Sequence, residues 1–293
     1  MGKNRIGIIF IIIGMLLTLY PLIGRIVNSK TQTTAILNYQ EKVEELSQDE
    51  IEKQKQLAKE YNDKLVEADK IKANESNTKN EIDYLKTINL NNMIGYIKIP
   101  KINVNLPIYH STNANVLETG VGHMENTSLP VGGKSTHAVL TAHSGMVRQE
   151  MFDHLEELEE GDKFYIYVLN DKLTYQVDQI KIVEPDDEKY IQIVDGEDYV
   201  TLVTCTPYGI NTHRILVRGT RIENELDETD DNLIQKNDKI EDNNLENSEN
   251  ITNKNSEKSN IIIFIIIGII LLIIIILITK LFASFKVRGK HEK

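Results

Sequence analysis

Two uncharged apolar runs of 19 residues each, Ile6 to Gly24 and Ile261 to Thr279, constrain this chain more than any other feature. As a helix, each run is about 28 Å long, close to the roughly 30 Å hydrocarbon core of a bilayer. The second run is almost pure isoleucine and leucine. Its length without a charge argues against a buried core helix and for a membrane span. The first run follows Lys3 and Arg5 and precedes Arg25. A signal peptide shares that pattern. However, no A-x-A-like cleavage site comes after it, the next residues being Arg25-Ile26-Val27-Asn28-Ser29-Lys30. The expectation is an uncleaved anchor over residues 1–25, with a cleaved signal peptide as the alternative.

The basic residues set the expected orientation. Lys280, Lys286, Arg288, Lys290 and Lys293 crowd the tail at 280–293. The positive-inside rule places that tail in the cytoplasm, and Lys3 and Arg5 place the N-terminus there too. Residues 26–260 then lie outside, in a multi-pass protein with the lipid bilayer as a partner. The chain carries 44 acidic against 33 basic residues, a formal net charge of −11. That balance does not suit nucleic-acid binding, which needs a basic face.

Between the spans the pattern changes three times. Residues 33–74 are polar, helix-favouring and free of Pro and Gly. Val43, Leu46, Leu57, Tyr61, Leu65 and Ala68 form a weak apolar stripe at steps of mostly three and four. Residues 26–92 therefore read as a helical stalk and possible lid region, either solvated or docked on the domain C-terminal to it, with a loop from Lys72 to Asn80. From 93 to 222 short β-rich runs take over. Strands are expected at Gly95–Ile102, Asn103–Tyr109, His137–Ala142, Lys163–Leu169, Lys172–Ile182, Val200–Thr204 and His213–Ile222, with one short helix at Met151–Glu159. Regularly spaced strands with few helices suggest a closed barrel. Residues 223–260, mostly Asn, Asp, Glu, Ser and Lys, hold too little apolar surface to offset ordering entropy and read as a disordered acidic tether. The tether leads into the second span at 261–279.

The chain has a single cysteine, Cys205, at the end of Thr201-Leu202-Val203-Thr204-Cys205. It cannot form an intramolecular disulfide. Alternation along a strand puts Thr201, Val203 and Cys205 on one face. The residues leave two readings open, a buried inert thiol and a nucleophile. His143, in Thr141-Ala142-His143-Ser144-Gly145, is either a surface turn residue or a general acid and base. Arg214 has three possible tasks: stabilising an oxyanion, holding a substrate carboxamide, or forming a structural salt bridge. His213 beside it should face away from it. Cys205 and the histidines at 110, 123, 137, 154 and 213 lack compact ligand spacing, so no metal is expected.

The run Thr201–Cys205, with Pro207-Tyr208-Gly209 and Asn211-Thr212-His213-Arg214, resembles the TLxTC signature of the sortases. Gly95-Tyr96-Ile97-Lys98-Ile99-Pro100-Lys101-Ile102, Leu106-Pro107-Ile108-Tyr109-His110, Gly120-Val121-Gly122-His123 and Ser128-Leu129-Pro130-Val131-Gly132-Gly133 resemble the class C, pilin-polymerising branch. The similarity covers about Met93 to Ile222. It implies a mainly β fold, a closed barrel of about eight strands with short helices, preceded by a helical segment and flanked by the two membrane helices.

The resemblance also implies a reaction. Cys205 would attack the Thr–Gly carbonyl of an LPXTG-type sorting signal to form a thioester. His143 would serve as acid then base, and Arg214 would be essential. Thr204, in the same motif, is a candidate substrate-binding residue. No cofactor is implied. The acceptor amine would be a pilin lysine in pilus assembly or, alternatively, a cell-wall precursor that anchors proteins to peptidoglycan. A non-catalytic membrane scaffold for surface proteins is the alternative of a different class, and a cysteine protease would differ only in using water. Class C enzymes usually carry an Asp-Pro-aromatic lid triplet upstream of the barrel. Here Asp83-Tyr84 stands in roughly that region without the proline, which leaves a lid in doubt.

Overall fold

The computed structural model describes residues 3–72, 84–224, 265, 267–270 and 272–279. The loop expected after Lys72, the tether from 225 to 260, Asp83 and the basic tail lie outside these residues. The chain forms two units, and the boundary between them cuts the first helix after Ser29.

In the first unit, helix α1 (Lys3–Glu44) begins at the basic residues before the apolar run and contains Pro21. Its apolar part has no polar face: Phe10 is 68% and Leu17 70% exposed. A helix that is hydrophobic all round calls for an apolar surrounding. It is the one helix among the described residues that is long and apolar enough to cross a membrane. The second run is helical where described, within Ile267–Thr279, which is shorter than a full span. The described residues thus establish one membrane-length helix rather than the two expected.

No break marks the expected change at residue 26, and the part of α1 in the second unit runs from Lys30 to Glu44. Ser47 then starts α2 (Gln48–Lys72) with a capping box. The Glu50 backbone N–H donates to Ser47 Oγ (3.3 Å), and the Ser47 backbone N–H donates to Glu50 Oε2 (2.9 Å). Both helices dock on the barrel, which decides against a solvated stalk. Tyr39, 1% exposed, donates its hydroxyl to Ile94 O (2.8 Å) and accepts from Leu169 N–H (2.7 Å). On α2, Ile51, Ala58 and Tyr61 join the barrel core. The buried Asn62 amide pairs with both backbone groups of Leu129, at 3.2 and 2.7 Å, as a strand edge would.

Eight strands close the barrel in the order β1-β2-β3-β4-β7-β8-β6-β5. They are β1 (Met93–Ile99), β2 (Val104–His110), β3 (Val121–His123), β4 (Thr136–Thr141), β5 (Lys163–Val168), β6 (Asp171–Val183), β7 (Asp198–Thr206) and β8 (His213–Ile222). Seven match expected strands. β3 is the one not foreseen, being only three residues long. β1 stops three residues early because Pro100, which has no N–H for the ladder, opens a 3-10 turn at Pro100–Ile102. The expected helix at 151–159 shrinks to a 3-10 turn at Leu155–Glu157.

Ile97, Leu106, Ile108, Leu140, Phe164, Ile166, Val200, Leu202 and Val217 fill the interior. Each fully buried side chain of this size contributes about 1.5–3 kcal/mol. Gly219 makes room for the stacked rings of Phe164 and Tyr175, since a Cβ there would meet the Phe164 ring at 2.5 Å. β4 and β7 run parallel, while β7 and β8 run antiparallel. Those two pairings position the site.

Candidate active site

Strand β7 alternates cleanly. Val200 and Leu202 point into the barrel core, while Val203 packs outside with Val139, Val183 and Leu216. Cys205 therefore shares the outer face with Val203, half-buried near the strand's end. In the β7–β8 register Cys205 stands directly opposite Arg214. Side chains facing each other across an antiparallel pair share a face, with Cβ atoms about 4.5–5.5 Å apart.

On the other side, β4 pairs with β7 at a constant offset: Val139 with Thr201 and Thr141 with Val203, both 62 residues apart. The same offset carried past the end of β4 sets His143 beside Cys205. Backbone and side-chain bonds hold the chain in that register. Ala142 N–H donates to Val203 O (3.2 Å), Thr204 Oγ1 donates to Ala142 O (2.7 Å), and Ser144 Oγ donates to Cys205 O (2.9 Å). Cys205 and Arg214 thus stand in one row across β7 and β8, and His143, two residues past the end of β4, falls on the extension of that row.

The loop that carries His143 is braced by Asp153. One carboxylate oxygen accepts from Gly145 N–H and the other from Met151 N–H, each at 2.8 Å. Phe152 N–H donates to His143 O (3.1 Å). Phe152 and Leu155 are wholly buried, so the brace stands on the core.

Arg214 donates from Nη1 to the carbonyls of His213 (3.0 Å) and Asn211 (3.3 Å). No carboxylate among the described residues pairs with it. Arg218, on the same face of β8, differs: it holds Asp178 through Nε (3.0 Å) and Nη2 (2.7 Å) and lies over the Tyr199 ring. The salt-bridge task expected as one option for Arg214 falls to Arg218 instead. His213 stands opposite Thr206 and faces away from the row, with Nε2 3.4 Å from Glu184.

A narrow groove opens at Cys205, lined also by Ser144, Phe152, Asp153, Glu156, Thr204, Tyr208 and Ile215. Thr204 lines it, but its hydroxyl hydrogen is engaged by Ala142 O, so it ties β7 to the His143 loop. Tyr208, 57% exposed, supplies the aromatic at the rim, its ring over Gly145, whose φ of +79° suits glycine. Tyr84, beside the expected lid position, does not line this groove. Its hydroxyl donates to His123 Nδ1 (2.7 Å) and accepts from Ser111 N–H (3.1 Å), and its ring lies against His110 and His123.

The remaining barrel histidines serve the structure. His123 donates from Nε2 to Ser128 O (2.8 Å), and burial pushes its pKa down to about 4. His137 donates from Nδ1 to Gln192 O and accepts from Thr201 at Nε2, and burial lowers its pKa as well. Among the described residues, no group of three His, Cys, Asp or Glu could hold a metal ion. Sequence reasoning missed Asp153, Glu156 and Tyr208. Tyr208 lies in the Pro207-Tyr208-Gly209 run quoted above, whereas Asp153 and Glu156 reach the groove through loop closure, which no short motif encodes.

A sequence model of the sortase domain matches residues 97–222. Sortase D of Bacillus subtilis (strain 168) is 34% identical over 131 residues, covering 44% of this chain and 63% of that protein. The match thus spans under two thirds of that relative's length. Sortase C1 from Streptococcus agalactiae is similar in structure, with 44% identity and a TM-score of 0.60 over 66% of this chain and 100% of that one. Sortase C of Clostridium perfringens, solved with the C-terminal cell wall sorting motif, gives 43% identity and a TM-score of 0.58 over 66% and 100%.

Proposed function

This chain belongs to the sortase family, and on that premise we propose that it is a membrane-anchored cysteine transpeptidase that cleaves an LPXTG-type sorting signal and passes it to a pilin lysine. The observation that carries the reading is the row of His143, Cys205 and Arg214, with Arg214 free of any carboxylate among the described residues. The sorting motif held by the C. perfringens relative supports the substrate class. Likeness to class C sortases supports the pilin acceptor.

The reaction starts with Cys205 as thiolate and His143 as imidazolium. The sulfur attacks the Thr carbonyl of the Thr–Gly bond. The guanidinium of Arg214, directly across the ladder, donates to the developing oxyanion. His143 gives its proton to the departing glycine amine, and the C–N bond breaks. The product is a thioester that conserves the energy of the cleaved bond. The acceptor amine then forms the new C–N bond, the C–S bond breaks, and His143 takes back a proton. No step calls on a cofactor.

Product analysis of the full-length protein in detergent, with a sorting-signal peptide and a lysine acceptor, tests this. An isopeptide-linked product that vanishes in Cys205→Ala is expected. Cleavage retained by Cys205→Ala, or a product formed with water alone, contradicts it.

The apolar part of α1 and the second apolar run are proposed to anchor the protein with both ends in the cytoplasm and the barrel outside. Protease added to intact protoplasts should then digest the barrel and spare the basic tail, and a protected barrel would show the orientation to be reversed.

A further inference from the structure

We propose that Glu156 receives the ammonium group of the acceptor and thereby selects a charged amine over other nucleophiles. The inference rests on the transpeptidase reading above and adds the residue that recognises the second substrate.

Two acidic residues, Asp153 and Glu156, line the Cys205 groove, while Arg214 and His143, the cations of the proposed reaction, are not among its lining residues. Asp153 is occupied, each of its oxygens accepting a backbone N–H. Glu156 has no partner among the described residues. Of the other glutamates in 153–160, Glu157 pairs with His154 at 2.7 Å, Glu159 with Lys101 at 3.1 Å, and Glu160 does not line the groove. Glu156 is thus the carboxylate that both lines the nucleophile's groove and stays open to a ligand. The turn that carries it is fixed, because Phe152, Leu155 and Leu158 anchor the segment in the core. A carboxylate held on a turn anchored in the core attracts a primary ammonium to the groove it lines more than a neutral nucleophile.

The protons balance. A lysine ammonium that becomes an amide nitrogen sheds two. One restores the His143 imidazolium, which gave its proton to the leaving amine, and the other passes to water. The C–N bond forms, the C–S bond breaks, and Cys205 leaves as thiolate. Glu156 takes no part in bond making. It raises the local concentration of the acceptor.

The test is a competition on the full-length protein in detergent, with the sorting-signal peptide as acyl donor. The acceptors are a lysine peptide, charged at neutral pH, and hydroxylamine, uncharged there. Both share the same acyl-enzyme, so the ratio of the two products is independent of how much enzyme is folded. Glu156→Gln should lower the lysine-to-hydroxylamine ratio roughly fivefold, through a higher KM for the lysine peptide, as expected for loss of one exposed charge pair. Glu157→Gln should keep the ratio of the unsubstituted protein. An unchanged ratio in Glu156→Gln, or an equal fall in Glu157→Gln, overturns the assignment. Absence of any acyl transfer by the unsubstituted protein would instead remove the transpeptidase reading, and this assignment with it.

Discussion

Arg214 is the residue whose role separates most sharply by substitution. Arg214→Lys keeps the charge but loses the planar fork of donors. Turnover on a sorting-signal peptide should fall by roughly two to three orders of magnitude, as it does when one oxyanion donor is removed. The melting temperature should barely move, because no carboxylate among the described residues depends on this side chain and such a swap costs less than about 0.5 kcal/mol. A large drop in melting temperature with activity kept would make Arg214 a structural residue. The sequence made Cys205, His143 and Arg214 visible as candidates, because strand alternation and family motifs pick out residue types and spacing. It could not decide between Arg214 and Arg218 as the salt-bridged arginine. That choice depends on Asp178, 40 residues away on β6, and on the register that brings it to Arg218.

At the scale of elements, the strands with long alternating runs were legible and the shortest was not. β8, His213–Ile222, declares itself through its pattern, whereas β3 has three residues and only its pairing with β2 and β4 defines it. The break between α1 and α2 was encoded locally in Ser47-Gln48-Asp49-Glu50, a capping-box pattern inside what otherwise reads as one helix. The seam where Tyr84 meets β2 and β3 has a thermodynamic consequence. Burial holds His123 neutral down to about pH 4, against an ordinary value of 6.5, and the neighbouring His110 is lowered likewise. The unfolded chain takes up protons near pH 6.5 while the native seam does not. Stability therefore falls as the pH drops from about 6.5 towards 4 and is regained above it. His123 alone contributes on the order of 3 kcal/mol across that window. Thermal melts should show a midpoint several degrees lower at pH 5 than at pH 7.5. Equal midpoints would mean that these rings are accessible to protons in the native state.

For the whole molecule, a closed barrel with two parallel pairings, β2–β3 and β4–β7, is what brings distant residues into one row. His143 and Cys205 lie 62 positions apart and become neighbours only because β5 and β6 cross over between β4 and β7. No local pattern contains that offset, so the site was legible as a set of residue types and not as a geometry. The groove wall, with Asp153 as brace and Glu156 open to a ligand, belongs to the same global closure. The central claim is that this row performs acyl transfer through Cys205. Intact-mass measurement of the full-length protein mixed with an LPXTG-type peptide tests it most directly. The account predicts a mass increase equal to the peptide's acyl portion, located on Cys205 and lost when a lysine amine is added. A protein that cleaves the peptide while Cys205 stays unmodified at every time point would contradict it.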